Sequence, residues 1–149
     1  MSGQQVRSED WTVISLGFAA AASMVAISAA IHLDLWATGY KTIPSIGPLF
    51  LFQGVIGATL AVLLVLSRRM WAIVTCAMFT IATISGFLLS VYVGLFGFMD
   101  TFAAPFAALS LAAEGVGTVL LSLFGAVVLR SRPRSARVSA QDYGRDCWQ

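Results

Sequence analysis

Four long apolar runs, separated by short polar breaks, leave this chain few ways to fold. They cover about residues 11–33, 48–66, 70–93 and 102–129, and the first carries no charge before His32. A helix needs about 20 mostly apolar residues to cross a bilayer, so each run is long enough to be one span. The breaks differ chemically. Residues 34–47 are mixed and hold Pro44, with Pro48 just after them, Ser67-Arg68-Arg69 is a basic turn, and residues 94–101 hold two glycines and Asp100. Composition points the same way: 58% of the residues are hydrophobic and 11% charged, with a mean hydropathy of +0.86. Soluble domains average about 25% charged residues, and a soluble fold with so few could not cover this much apolar surface. That argues against a free cytosolic enzyme, a disordered chain and a cysteine-stapled secreted domain. The expectation is an all-α integral membrane protein, a four-helix up-down-up-down bundle. The first run is longer than the roughly 7–15 apolar residues of a leader peptide. Glu9 and Asp10 also stand where a leader is basic, so the run is read as a retained span.

Orientation follows from the basic residues, which concentrate on the cytoplasmic side of membrane proteins. Arg7 precedes the first span, Arg68 and Arg69 form the second break, and Arg130, Arg132, Arg134, Arg137 and Arg145 follow the fourth span. With four spans these regions share one side, which holds eight of the nine basic residues and leaves Lys41 on the other. The expectation is a cytoplasmic N-terminus (1–10), a membrane domain (11–130), and a basic, disordered cytoplasmic tail (131–149) in a bacterial plasma membrane. Trp11 and Trp71 fall at inner ends and Trp36, Tyr40 and Tyr92 at outer ends, as in an aromatic belt. Arg130, Arg132, Arg134 and Arg137 are read as lipid-interacting, each attracted to an anionic leaflet by about 1 kcal/mol; they are not a nucleic-acid signal. Cys76 and Cys147 both fall on the reducing side, which argues against a disulfide.

The short 67–69 break makes the second and third helices antiparallel neighbours. Gly47-Pro48 reads as the start of the second helix. Asp100-Thr101 reads as the cap of the fourth, with Pro105 in its first turn. Membrane helices associate through small and polar residues. At helical spacing, Ala19, Ala22, Ala26 and Ala30 mark a packing face on the first span. Gln53, Gly57 and Ala61 mark one on the second, and Cys76, Thr80, Thr83, Phe87 and Ser90 one on the third. Ser110, Glu114, Gly117, Thr118, Ser122 and Gly125 mark the fourth.

Glu114 stands out among the seven acids because it lies well inside a span. It precedes Arg130 by sixteen residues, about 24 Å of helix, which puts it in the outer third of the membrane. A carboxylate at such depth costs about 2.5–3.5 kcal/mol or more unless paired or protonated, and marks a functional candidate. His32, Asp34, Gln53 and Tyr92 reach the same depth from the other spans, so these four and Glu114 form the candidate ligand-binding cluster. Three roles stay open for Glu114: a structural acceptor for His32, Gln53 or Tyr92; part of a site for a proton, metal ion or small polar ligand; or a contact with a partner subunit. No cofactor is expected, and no dedicated metal motif is present. One histidine excludes bis-histidine haem within the chain, and no G-x-S-x-G, H-E-x-x-H or C-x-x-C motif occurs.

The outer segment carries a resemblance. Ile31-His32-Leu33-Asp34-Leu35-Trp36, followed by Gly39-Tyr40-Lys41-Thr42-Ile43-Pro44-Ser45-Ile46-Gly47-Pro48-Leu49-Phe50-Leu51-Phe52-Gln53, resembles a group of small four-span membrane proteins of high-GC Gram-positive bacteria. Their segment reads roughly H-L-x-L-W, G-Y-x-x-I-P-x-I-G and L-F-L-x-Q. The likeness covers the end of the first span to the start of the second; elsewhere it is one of hydropathy. It implies four spans and groups His32, Tyr40, Pro44, Gly47 and Gln53 into one feature, and it implies no activity. Eight Arg, one Lys and no Asn agree with a GC-rich source.

Together these features lead to the expectation of a non-enzymatic accessory or scaffold component of a plasma-membrane complex. Its contacts would be the bilayer and either a membrane-protein partner or a second copy of the chain. The alternative is a small transporter or ligand- or ion-binding membrane protein that uses the Glu114 cluster.

Overall fold

The computed structural model of the chain describes residues 2–131. Its helices are α1 (Ser2–Thr38), α2 (Ile46–Ser67), α3 (Met70–Tyr92) and α4 (Ala107–Ser131), with one 3-10 turn at Tyr40–Thr42. The segments Ile14–Thr38, Ile46–Ser67, Met70–Tyr92 and Ala107–Arg130 are each long and apolar enough to cross a membrane. Arg130 is exposed at the end of α4; Arg132, Arg134 and Arg137 lie outside the described residues.

The helices form a bundle in which α1 packs on α2 and α4, while α3 packs on α4 and, less extensively, on α2. Contacts fix the registers. Leu33 and Ala29 of α1 pack against Gly54 and Gly57 of α2, and Met24 against Gly117 of α4. Phe124 of α4 covers Gly17. Between α3 and α4, Ile73 lies beside Gly125, and the Thr80 and Thr118 hydroxyls meet at 2.8 Å. In each pair the residue numbers rise along one helix as they fall along the other.

Helix α1 begins at Ser2, ahead of the expected span start, and the helix ends differ from the sequence reading in three further places. Helix α1 continues through Asp34 and Trp36 to Thr38, because exposed Asp34 has no need to leave the helix. Helix α2 begins at Ile46, earlier than the Gly47-Pro48 start: Ser45 turns the chain with φ 66°, and Pro48 fits in the first turn, where its missing N–H is not needed. Helix α4 begins at Ala107 rather than near Phe102. Asp100 and Thr101 accept hydrogen bonds from the Thr101 and Ala103 N–H groups, making a turn, and Phe106 breaks the helix with φ 62°.

The expected Ala19/Ala22/Ala26/Ala30 face is also revised. Ala19, Ala26 and Ala30 are exposed, and α1 instead buries Phe18, Ala21, Ala22, Val25, Ser28, Ala29 and His32. Alanine occurs on every side of this stretch, so small size could not select the face.

The bundle has two dissimilar halves. Around the 67–69 turn, Phe18, Val25, Leu60, Leu64, Ile73, Cys76 and Leu121 make a closed apolar core. Toward the opposite end the buried residues become polar: Ser28, His32, Ser90, Ser110 and Glu114.

Candidate functional site

Glu114 is 2% exposed, and its hydrogen bonds come from hydroxyls. Ser28 Oγ of α1 donates to Oε1 at 2.8 Å, and Ser110 Oγ, one turn earlier on α4, donates to the same oxygen at 3.3 Å. Hydrogen bonds to an acceptor this deep offset the lost hydration. Ser28 is thus the inter-helix partner, in place of the expected His32, Gln53 or Tyr92.

His32 joins the network from the other side of Ser28. Its Nδ1 lies 2.8 Å from the Ser28 carbonyl and 3.5 Å from Ser28 Oγ. A carbonyl has no proton to give, so Nδ1 is the donor. In the neutral ring that leaves Nε2 as an acceptor, and among the described residues Nε2 has no hydrogen-bond partner. The ring packs on Phe50 with centroids 5.3 Å apart. Phe50 in turn stacks on Tyr40 at 4.6 Å, and Tyr40 meets the edge of Phe98. This aromatic series ties the end of α1, the 3-10 turn, the start of α2 and the 94–106 loop together. Burial, and to a lesser degree the Asp100 carboxylate, push the Tyr40 phenol above its ordinary 10.0.

Two cavities share the wall made by His32, Phe50, Thr83, Phe87 and Asp100. The smaller, about 40 Å³, lies among α1, α4 and the 94–106 loop and is lined also by Ser110 and Glu114. The larger, about 330 Å³, lies between α2 and α3 where these two helices separate. Its walls are mostly aromatic and aliphatic, with Gln53, Thr83 and Ser90 among the polar exceptions. Phe52 and Leu49 line it and are also exposed, so the cavity reaches the outer surface of the bundle between the two helices. Gly86 forms part of its wall, and a Cβ added there would meet nothing within 4 Å. Ser90, 6% exposed, lines the same cavity, and its Oγ has no hydrogen-bond partner among the described residues.

The structure thus brings His32, Gln53 and Glu114 to the two cavities, with His32 on both, Gln53 on the larger and Glu114 on the smaller. It leaves Asp34 and Tyr92 outside. Asp34 is exposed and lines neither cavity; Tyr92 is 71% exposed, beside Phe102. Among the described residues no three His, Cys, Asp or Glu side chains gather to hold a metal ion. Asp100, Ser90, Ser28 and Phe50 join the site from outside the predicted cluster. Ser90 had one legible signal, its place on the polar stripe of α3. Asp100 read as a helix cap, and nothing in the sequence set Ser28 opposite Glu114.

Fold and site together define a helical bundle of membrane type with a polar-backed cavity between two of its helices. Comparison of the chain with protein-family models, curated proteins and solved structures gave no match.

Proposed function

We propose that this chain is a small integral membrane protein that binds a small lipophilic ligand in the cavity between α2 and α3. The observation that carries the reading is the 330 Å³ space with a buried, unpartnered Ser90 hydroxyl on its wall. Ligand sites are mostly apolar hollows of about 300–1,000 Å³ with a few convergent polar groups. Exposed Phe52 and Leu49 at the rim make the lipid phase the route of entry. In this reading Glu114 is a structural element: with Ser28 and Ser110 it locks α1 to α4 and fixes the rear of the site. The protein is a binding protein rather than an enzyme.

The contact registers support an up-down-up-down bundle with both termini on one side. The distribution of arginine supports a cytoplasmic position for that side, in a bacterial plasma membrane. An accessory or scaffold role is the second reading. Its support is the 39–45 loop, pinned by the Tyr40–Phe50 stack and presenting Lys41, Thr42, Pro44 and Ser45 outward. Copurification in mild detergent tests that role, and a chain always recovered alone counts against it.

The ligand reading is tested with an uncharged probe, 4-phenylbutan-1-ol, on the full chain in phosphatidylcholine nanodiscs. Saturation-transfer NMR should show saturable binding, and Gly86→Leu, which fills the open space beside Gly86, should abolish it. Undiminished binding by a folded Gly86→Leu protein would sink the reading.

A further inference from the structure

The charge around the two cavities is one-sided. Asp100 lines both and Glu114 the smaller, while no lysine or arginine lines either. Among the polar atoms with spare capacity acceptors predominate, the exception being the Gln53 amide on the larger cavity, which carries N–H donors beside its oxygen. With Nδ1 donating to the Ser28 carbonyl, Nε2 of the neutral His32 ring is an acceptor. The Ser90 hydroxyl has no partner and accepts as readily as it donates. Asp100 accepts from Thr101 N–H through Oδ1 and has a second oxygen. Around these groups stand Phe50, Phe79, Phe87 and Phe98, whose ring faces attract cations.

From this complementarity we infer that the ligand of the α2–α3 cavity is a lipophilic amine, bound as its ammonium ion. The inference rests on the ligand-binding reading above and specifies its chemistry. The ammonium donates to the Asp100 carboxylate, Ser90 Oγ and His32 Nε2. The apolar remainder lies along the phenylalanines toward Phe52 and the lipid. A carboxylate ligand meets Asp100 as a like charge. A neutral alcohol has one proton to donate where the site offers three acceptors. Quaternary ammonium ions have none and leave Ser90 unpaired. The volume of about 330 Å³ falls at the lower end of the range of small-molecule sites, about 300–1,000 Å³, the scale of a small ligand such as a phenylalkylamine. An aminophospholipid headgroup carries a phosphate beside its ammonium, and no cation lines the site to meet it. The geometry therefore selects a free amine over a lipid headgroup.

The test compares isosteric probes on the full chain in phosphatidylcholine nanodiscs, with empty discs subtracted: 4-phenylbutylamine, 4-phenylbutan-1-ol and 4-phenylbutyrate. The amine should bind at least tenfold tighter than the alcohol, and the carboxylate more weakly than both. Asp100→Asn should reduce the amine's advantage over the alcohol to about threefold or less. Ser90→Ala, a small change in a helix, should weaken the amine severalfold. Phosphatidylethanolamine added to the discs should not compete. If it displaces the amine, the choice of a free amine is overturned. Equal or tighter binding of the alcohol by the unaltered chain overturns the amine while leaving the cavity reading intact. Failure of all three probes to bind overturns both. If Asp100→Asn unfolds the protein, the ranking of the probes on the unaltered chain decides alone.

Discussion

A carboxylate buried between apolar helices needs donors or a proton, and the Ser28 hydroxyl supplies Glu114 with the shorter of its two hydrogen bonds. Interhelical hydrogen bonds in membranes average about 0.6 kcal/mol and reach about 1.7, because the separated helices also find partners. Ser28→Ala should therefore lower stability by about 0.6–1.7 kcal/mol in a denaturant titration from mixed micelles. Glu114→Ala should cost more, since it leaves two hydroxyls without their acceptor and opens a void. If Ser28→Ala costs nothing, Ser28 does not hold Glu114. Tyr40 gives a second residue-scale expectation, in pH. Its phenol is raised above 10.0 by burial and then by Asp100. The folded state therefore holds the proton more tightly than the unfolded state does. Its stabilising contribution is complete below pH 10 and is lost as pH rises through the folded value. A tyrosinate absorbance titration, with Tyr40→Phe as the difference, should place Tyr40 above 10. Asp100→Asn should reduce the shift but leave the part due to burial. A midpoint at 10 in the unaltered chain would refute the burial of this hydroxyl.

At the scale of the helix, close approach and open space make opposite demands on glycine. A Cβ on Gly54 would fall 2.5 Å from Leu33 Cγ and 3.2 Å from the Ala29 carbonyl oxygen, whereas one on Gly86 would meet nothing. Gly54→Ala should destabilise the bundle by about 1–3 kcal/mol through overpacking. Gly86→Ala should stabilise it by about 0.4–1 kcal/mol, since it restricts the unfolded chain without a clash. The same thermal or denaturant scan reads both, and a shared sign would contradict the helix spacing seen at one of these sites. Helices were the most legible part of the sequence, because an uninterrupted apolar run has one economical conformation in a membrane. Their ends were less so: Ser45 and Phe106 turn the chain through left-handed conformations that neither residue type announces. Least legible was which residues face each other. Hydropathy does not contain the register that brings Ser28 to Glu114. It also gives no hint that α2 and α3 part around Ser90, since a gap is a property of two helices together.

For the whole molecule, the two dissimilar halves and the distribution of charge bear on one question, which end faces the cytoplasm. The closed apolar core lies toward the turn that carries Arg68 and Arg69. The cavities lie toward the end that carries the 39–45 and 94–106 loops, where Lys41 is the basic residue. Cytoplasmic segments retain arginine and lysine during insertion, so the arginine turn should stay inside and the cavity end should face out. Single cysteines report this directly in cells expressing the chain without its own Cys76 and Cys147. Thr42 and Thr101 are exposed in the two loops at the cavity end, and Ser67 stands at the opposite turn. Thr42→Cys and Thr101→Cys should react with an impermeant maleimide on intact cells; Ser67→Cys should react only after the membrane is opened. The reverse pattern would invert the protein and give the ligand cavity an inner-leaflet entrance. Labelling of only one of the two loop positions would break the four-span topology, since residues 42 and 101 are separated by two spans and must share a side.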